Sequence, residues 1–241
     1  MVIFLVLIGI CYCSIQQSID VPIYRCPDQQ TATNFTLSID PSAPALQQTD
    51  MTYCYDSTAL RLAFTAVDNN IFSPYTTCNE PLYKADVVEA FITPIQSSST
   101  PVDLHSYLEV EISPYSVLFL SHIYNSNLDC TNFTGVPLDC SGSGVSWSSQ
   151  PDVNLGQWSG WLVIPWDVLP AGEPASGAGE AGAEKGLRRS AQGGPQPGSW
   201  FYANFFRVDV PLGGSKEYSC WISTDSPTPC FHKPNYFAKF I

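Results

Sequence analysis

The residues of this sequence that could do chemistry are carboxylates and aromatic side chains placed beside apolar strands. Glu89 interrupts a run rich in β-branched residues, Val87–Ile92. Because successive side chains of a strand point to opposite faces, Glu89 shares a face with Val87 and Phe91. A carboxylate between large apolar neighbours is costly to bury unless a donor hydrogen-bonds to it. The pattern therefore predicts a partner for Glu89, which is either a structural backbone or arginine donor or the hydroxyl of a ligand.

Further candidate binding residues come from three separate parts of the chain. Glu111 lies in a stretch of alternating polar and apolar residues, and Tyr83 lies in the loop just before the strand described above. Phe231 and His232 lie in a loop that is fixed between a cysteine and a proline. Exposed aromatic side chains in tethered loops are suited to the flat apolar faces of sugar rings. The alternative is that Phe231 only caps the core.

The same carboxylates could belong to an enzyme. Glu89 and Glu111 form a pair of the kind that hydrolyses glycosidic bonds. The simpler interpretation is that both accept hydrogen bonds from hydroxyls or from Arg207, so we expect no catalytic residue. The chain has no CxxC pair for zinc, and Met51 has no matched histidine with which to ligate haem. We therefore expect neither a metal centre nor a cofactor.

Arg207 lies in the strongest strand pattern of the chain, close to Asn204. The two side chains fall on opposite faces of that strand. They are therefore not expected to serve one site. We predict that Arg207 is the buried partner of a carboxylate, with Glu109 or a neighbour of Asp209 across the sheet as candidates.

Composition limits the class of partner. The chain has 241 residues, of which 44% are hydrophobic and 13% charged, which is typical of one folded domain rather than a disordered chain. Its net charge of −12 disfavours nucleic acid and strongly anionic polymers, because phosphate contacts require clustered lysine and arginine. Neutral mono-, oligo- or polysaccharides fit this charge better.

The N-terminus indicates export. An apolar run at 2–12 is followed by small residues around a cleavage position after Cys13, which predicts a secretory signal peptide at 1–13. The run is too short to span a bilayer, so we expect no membrane insertion. Asn34 and Asn132 lie in Asn-x-Thr acceptors for glycosylation, which agrees with a secreted, extracellular protein.

Seven cysteines follow the predicted cleavage position, and in a secreted chain most of them should form disulfides. The odd number leaves at least one thiol unpaired or intermolecular. Spacing predicts that Cys130 pairs with Cys140, and that Cys220 pairs with Cys230. Sequence alone does not fix the connectivity.

Short alternating segments separated by turns, without β-α-β alternation, predict an all-β protein. The expected architecture is one antiparallel β-sandwich domain at 14–241, immunoglobulin-like or jelly-roll-like, with about eight or more short strands. Residues 125–149 are polar and are expected to form a long glycosylatable surface loop. Residues 171–199 are rich in glycine, alanine and proline and predict a disordered insertion, which is either genuine or an artefact of the gene model.

Five segments of the chain carry a resemblance to a known family. Each is a weak signal alone, but together they occur in the family's order and cover roughly residues 50 to 241 apart from the two insertions. On these segments the chain resembles a family 9 carbohydrate-binding module, within the wider group that includes the DOMON-like sandwiches. The segments are Leu82–Pro94, Tyr107–Pro114, Ile164–Trp166, Trp200–Arg207 and Phe231–Phe237.

The resemblance implies that a sugar stacks between two loop aromatics. By position these fall on Tyr83 and Phe231, and the polar ligands to the sugar hydroxyls fall on Glu89 and Glu111. His232 adjoins the second aromatic. Family members can bind structural calcium, although no dense Asp/Asn ligand run is present here to match it.

Three functions remain open at this stage. The resemblance favours a secreted, non-catalytic carbohydrate-binding module. One alternative is an accessory module of a glycoside-hydrolysing, polysaccharide-catabolic system, to which hydrolase activity is assigned by association. The other is a surface or matrix interaction protein without sugar binding.

Overall fold

The computed structural model describes residues 19–99, 101–171 and 194–241, and these residues form an all-β fold. The predicted signal peptide, 1–13, and residues 172–193 of the predicted insertion lie outside the described residues. The strands are β1 (Asp20–Val21), β2 (Gln30–Ala32), β3 (Thr36–Leu37), β4 (Asp40–Pro44), β5 (Thr49–Tyr55), β6 (Ala59–Val67), β7 (Val87–Ile92), β8 (Ser106–Ile112), β9 (Leu118–Asn125), β10 (Phe133–Pro137), β11 (Ser146–Asp152), β12 (Gln157–Pro165), β13 (Phe201–Asp209), β14 (Glu217–Cys220) and β15 (Ala238–Phe240). Short 3₁₀ turns lie at Leu82–Lys84, Trp166–Val168 and Pro234–Tyr236.

Two sheets pack face to face. The larger has ten strands in the order β10-β9-β8-β7-β13-β14-β3-β4, with β15 beside β13 and β1 beside β15. The smaller has the order β11-β12-β6-β5-β2. Among the described strands, the short β1–β15 pair is parallel and the other pairs are antiparallel. The predicted all-β antiparallel sandwich is confirmed.

The main core lies between the sheets. Val88, Ala90 and Ile92 of β7 face inward and belong to one apolar cluster with Leu62 of β6 and Trp158 of β12. The alternation of the sequence produces this arrangement, because every second side chain of a strand points to the same face.

A second, smaller apolar cluster covers the outer face of the larger sheet. Val87 and Phe91 of β7 belong to it, together with Tyr107 of β8, Phe206 of β13 and Phe237 before β15. Glu89 lies between Val87 and Phe91 on this outer face, as the sequence predicted. This face positions the candidate site.

Two predicted irregular stretches contain regular structure. The expected loop at 125–149 contains β10 and the beginning of β11, so that prediction is wrong in part. Both strands add to sheet edges, β10 to β9 and β11 to β12, where ladder hydrogen bonds compensate for their weak apolar alternation. At the end of the expected insertion, Gly194 is buried, and its N–H donates to the carbonyl of Ser57 at 3.1 Å.

The disulfides differ from the pairs predicted by spacing. Cys78 bonds Cys140, Cys130 bonds Cys230, and a further bridge joins Cys26 to Cys54. Cys220 is a buried free thiol rather than a partner of Cys230. The predicted pairs were wrong because the fold, and not the short separation along the chain, brings sulfurs together. The expectation of an unpaired thiol is confirmed by Cys220.

The buried carboxylate partners of Arg207 are Asp68 and Asp209, at 3.0 and 2.6 Å, and not Glu109. The register explains this outcome. Arg207 is opposite Val88, which faces inward, whereas Glu109 is opposite Phe91, which faces outward. A sheet therefore separates Arg207 from Glu109.

The two predicted glycosylation acceptors lie at the surface. Asn34 and Asn132 are exposed, and their side-chain amides donate to Thr33 Oγ1 at 3.0 Å and to Ser126 Oγ at 2.9 Å. Glycosylation itself stays a prediction. Within the part of the chain that the structure describes, no helix has the length and apolar character needed to cross a membrane.

Candidate functional site

A cavity of about 480 Å³ opens on the outer face of the larger sheet, above β7, β8 and β9. The loops before β7, β10 and β15 build its rim. This volume falls in the usual range of small-molecule sites. Its lining comprises Tyr83, Glu89, Phe91, Glu109, Phe119, Ser121, Ile123, Cys130, Phe133, Gly135, Pro137, Val208, Tyr218, Pro229, Cys230, Phe231 and His232.

Tyr83 lies on the rim and is 47% exposed. It belongs to the 3₁₀ turn Leu82–Lys84, and the N–H of Ala85 donates to the carbonyl of Leu82 at 2.8 Å to close that turn. Leu82 is fully buried and anchors the turn. The fixed turn therefore presents an accessible aromatic ring to the cavity.

Phe231 lines the same cavity but is mostly buried. It is 8% exposed, and its ring stacks on Phe206 with centroids 4.4 Å apart and planes 19° apart. One face of the Phe231 ring is thus already covered by protein. The alternative in which Phe231 caps an apolar cluster is supported, while part of its surface still lines the cavity.

A ring that sequence reasoning missed is Phe133, at the start of β10. It is 39% exposed and stacks on His232, with ring centroids 3.8 Å apart. The strand is brought to the cavity by its pairing with β9, and Cys130, three residues before Phe133, is bonded to Cys230. In the sequence, the signal for this ring is the nearby Cys130, which precedes Phe133 as Cys230 precedes His232.

His232 is fixed in the wall by polar contacts. Its Nδ1 lies 2.8 Å from the hydroxyl of Tyr107, and its backbone carbonyl accepts from Asn125 Nδ2 at 2.9 Å. Its Nε2 lies 3.9 Å from Glu109 Oε1. Burial lowers the pKa of His232 to about 4. The imidazole is therefore neutral near pH 7 and supplies no positive charge to Glu109.

Three glutamates meet in the floor of the cavity. Glu89 and Glu111 are directly opposed on β7 and β8, and Glu109 is opposite Phe91 on the same face. Carboxylate oxygens of all three lie within 4.8 Å of one another. At an effective dielectric constant of ~20, two ionised carboxylates at this separation repel by roughly 3 kcal/mol or more. Ionising all three glutamates at once is therefore unfavourable without a nearby cation.

Burial accordingly dominates the protonation of the three glutamates. It raises the pKa of Glu89 and of Glu111 well above the ordinary value, and the neighbouring carboxylates raise both further. Burial raises the pKa of Glu109 to about 7, with a smaller opposing effect of Glu111. Near neutral pH the floor therefore contains protonated carboxyls. Its negative charge is smaller than the charge of three glutamates in water.

With all carboxyls ionised, some oxygens of this floor have no hydrogen-bond partner among the described residues. They are Oε1 of Glu89 and both oxygens of Glu111. Once one of them is protonated, Glu109 and Glu111 can hydrogen-bond to each other. The backbone amide of Tyr83 lies close enough to Glu111 to lower its pKa slightly, although the pair falls short of hydrogen-bond geometry. Buried polar groups are normally satisfied, so an unpaired oxygen facing a cavity indicates a place for a donor. Glu89 contributes to the cavity lining, although its unpaired Oε1 is itself buried just beneath that surface.

The predicted site residues separate into two groups. Tyr83, Glu89, Phe231 and His232 line one cavity. Glu111 is fully buried behind that lining and reaches a ligand only through its neighbours. Sequence reasoning missed that Glu109 lines the cavity. The signal was its position two residues before Glu111 on the same strand, which places both side chains on one face.

Two other features offer less chemistry. A larger cleft of about 600 Å³ adjoins the cavity, but its carboxylates are used within the protein. Asp209 accepts from Gln47 Nε2 at 2.7 Å, and Glu217 accepts the N–H of Leu46 at 3.1 Å. In a second group of three carboxylates, Asp68, Asp86 and Asp209, two members form ion pairs with Arg207. Of these two groups, the glutamate floor is thus the one without a lysine or arginine partner among the described residues.

Comparisons with known proteins place the chain by its fold. No family model matches the sequence. An "Extracellular protein" of Arthroderma benhamiae is 26% identical over 95% of this chain and 93% of its own length. A crystal structure of a candidate carbohydrate-binding protein from Bacteroides uniformis aligns with a TM-score of 0.68 at 13% identity, over 93% of this chain and 99% of that one. A family 9 carbohydrate-binding module from Caldicellulosiruptor kristjanssonii, solved in complex with cellotriose, aligns with a TM-score of 0.53 at 11% identity, over 93% and 92%.

At these identities the likeness shows the fold. It confirms the predicted resemblance to family 9 carbohydrate-binding modules at that level. The alignments extend over almost the whole of each chain, so the shared part is the complete sandwich and not a local motif.

Proposed function

We propose that this protein is a secreted, non-catalytic carbohydrate-binding protein whose site is the cavity on the outer face of the larger sheet. The observation that carries the proposal is the combination, in one cavity, of the accessible ring of Tyr83 and the carboxyl group of Glu89, one oxygen of which has no partner among the described residues. An aromatic ring covers the apolar face of a sugar, and a carboxyl group fixes its hydroxyls by hydrogen bonds.

Stacking involves more rings than the two predicted from sequence. Tyr83 forms one wall, and Phe133 and the free part of Phe231 lie on the side of His232. A sugar bound between these walls would donate a hydroxyl hydrogen bond to Glu89 in the floor of the cavity. The relatives described above support this assignment, because two share the fold and are described as carbohydrate-binding, and another is described as extracellular.

The arrangement of the carboxyls supports binding rather than hydrolysis. Glycosidases place two carboxyls on either side of the scissile bond, about 5 to 10 Å apart. Here the three glutamates lie on adjacent strands and share one floor, so they do not flank a bound sugar from two sides. No described carboxylate in the cavity lining faces them from the opposite wall.

A glycan array followed by calorimetry tests the proposal. We expect a ligand with a Kd on the order of 1 µM to 1 mM. Tyr83→Ala should weaken it by about 30-fold, since central aromatic anchors typically contribute about 2 kcal/mol. Tyr115→Ala is a matched control, because Tyr115 is 48% exposed and lies outside the cavity lining.

Three outcomes would contradict the proposal. Equal affinity of Tyr83→Ala and the unmodified protein would place the site elsewhere. An array without hits would favour a surface or matrix interaction protein. Release of reducing sugar that is lost in Glu89→Gln would make the protein an enzyme.

A further inference from the structure

The cavity has an acidic floor. Its floor carries Glu89 and Glu109, with Glu111 behind them, and none of the described residues that line it is a lysine or an arginine. The basic residues nearest to the lining in sequence are Lys84, which lies beside the rim, and Lys233. Lys84 lies 5.9 Å from the ring centroid of Tyr83, and Lys233 donates to the carbonyl of Asp225 at 3.0 Å.

Hydroxyls of a neutral sugar would satisfy single oxygens but would leave the three carboxyls without a counter-charge when they ionise. A hydroxyl donates one hydrogen bond and carries no charge, whereas the three clustered carboxyls repel one another when ionised. A cationic donor provides hydrogen bonds and also compensates the charge of the ionised carboxyls. An ammonium group donates three hydrogen bonds and stabilises ionised carboxylates at the same time.

The walls suit an organic cation. Tyr83, Phe91, Phe119 and Phe133 present aromatic carbons around the carboxyls, and cations are attracted to the faces of such rings. A bare metal ion would fill a small part of a cavity of about 480 Å³ and would leave these rings without a role. The net charge of −12 also attracts cationic ligands from solution.

We propose that the cavity selects a sugar that bears a protonated amine, a 2-amino sugar or an oligosaccharide of such units, with the ammonium group over Glu89 and Glu109. This proposal rests on the proposed function, because it uses the same cavity and the same stacking rings. Glu111 is the positioning residue in this arrangement. Being fully buried, it lies behind the floor and holds a proton that its neighbours can share.

Calorimetry with matched sugars tests this selectivity. The probes are glucosamine, N-acetylglucosamine and glucose, and their trimers, at about pH 6.5, where an ordinary amine is protonated. We expect the amine-bearing sugar to bind about 10-fold or more tightly than its acetylated and hydroxyl counterparts. Glu89→Gln and Glu109→Gln keep the shape of the floor but cannot ionise beside an ammonium group, so each should reduce that preference to within about 3-fold. Asp50→Asn, an exposed residue on the smaller sheet, is the control for net charge.

The outcomes separate this inference from the function on which it rests. Equal affinities for the three sugars, all weakened by Tyr83→Ala, would overturn the amine selectivity and leave carbohydrate binding intact. Binding of neutral sugars that needs added calcium and is lost in a chelator would also overturn it, because the carboxyls would then hold a metal ion. No binding of any of these probes, together with an empty glycan array, would overturn both.

Discussion

Glu109 is the glutamate of the floor whose protonation changes near neutral pH. Burial raises its pKa to about 7, from an ordinary value of 4.5. The folded protein therefore retains a proton that the unfolded chain releases between these two pH values. Because the folded state binds more protons, stability from this group is present below about pH 4.5 and is lost as pH rises towards 7.

We predict that Glu109→Gln flattens the pH dependence of stability. Urea unfolding from pH 5 to 8 should show the unmodified protein losing stability relative to the variant, by a difference on the order of 3 kcal/mol. His232 acts in the opposite sense, since its pKa is lowered to about 4 and protonation disfavours the folded state below its ordinary value of 6.5. Because His232 is present in both the unmodified protein and Glu109→Gln, its contribution cancels in the difference between their stabilities. Parallel pH profiles would contradict the assignment.

The two aromatics singled out by sequence should respond differently to truncation. Phe231 is 8% exposed and stacked on Phe206, so Phe231→Ala should lower the free energy of unfolding by about 3 kcal/mol, as for other buried phenylalanines. Tyr83 is 47% exposed, and Tyr83→Ala should change stability by less than about 1 kcal/mol. Chemical denaturation measures both. A fully stable Phe231→Ala protein that fails to bind sugar would show that the ring serves the ligand and not the core.

At the scale of elements, the sequence predicted the central strands of the site and their faces. The alternation around Glu89 and Glu111 places both on the outer face of β7 and β8, as observed. It did not predict β10, because the stretch Phe133–Pro137 lacks clear apolar alternation and is stabilised by pairing with β9. Glu109 faces the same side as Glu111, and its suggested pairing with Arg207 was wrong because Arg207 projects from the other side of the sheet, which the strand register decides.

The Cys130–Cys230 disulfide joins the segment before β10 to the loop of Phe231 and His232, and both sulfurs lie in the cavity wall. We predict that replacing both cysteines by serine lowers stability by about 2 to 4 kcal/mol. The change should also weaken sugar binding, because the wall formed by Phe133 and His232 loses its tether.

A matched control for that experiment is the Cys26–Cys54 disulfide, which lies outside the cavity lining. Its replacement by serines should lower stability without changing affinity for sugar at temperatures where the protein stays folded. Thermal unfolding and calorimetry separate the two effects. Equal affinity in both double variants would show that the tether has no role in the site.

At the scale of the molecule, Arg207 connects the two sheets beneath the site. It projects from β13 of the larger sheet and donates to the carbonyl of Val67, the last residue of β6 in the smaller sheet, at 2.5 Å. It also forms ion pairs with Asp68 and Asp209, and all three side chains are buried. Burial raises the pKa of Asp68, while the charge of Arg207 acts against that rise. The charge of the arginine thus compensates buried carboxylates that have no other ion-pair partner in the described part of the chain.

Removing Arg207 should therefore be more damaging than removing the whole charged group. We predict that Arg207→Met lowers the free energy of unfolding by about 3 to 5 kcal/mol, because it leaves Asp68 and Asp209 buried without a counter-charge. Adding Asp68→Asn and Asp209→Asn should restore a substantial part of that loss, since no uncompensated charge then remains. Urea unfolding of the single and triple variants measures the effect. A triple variant less stable than Arg207→Met would show that the carboxylates stabilise the junction through hydrogen bonds, independently of the arginine.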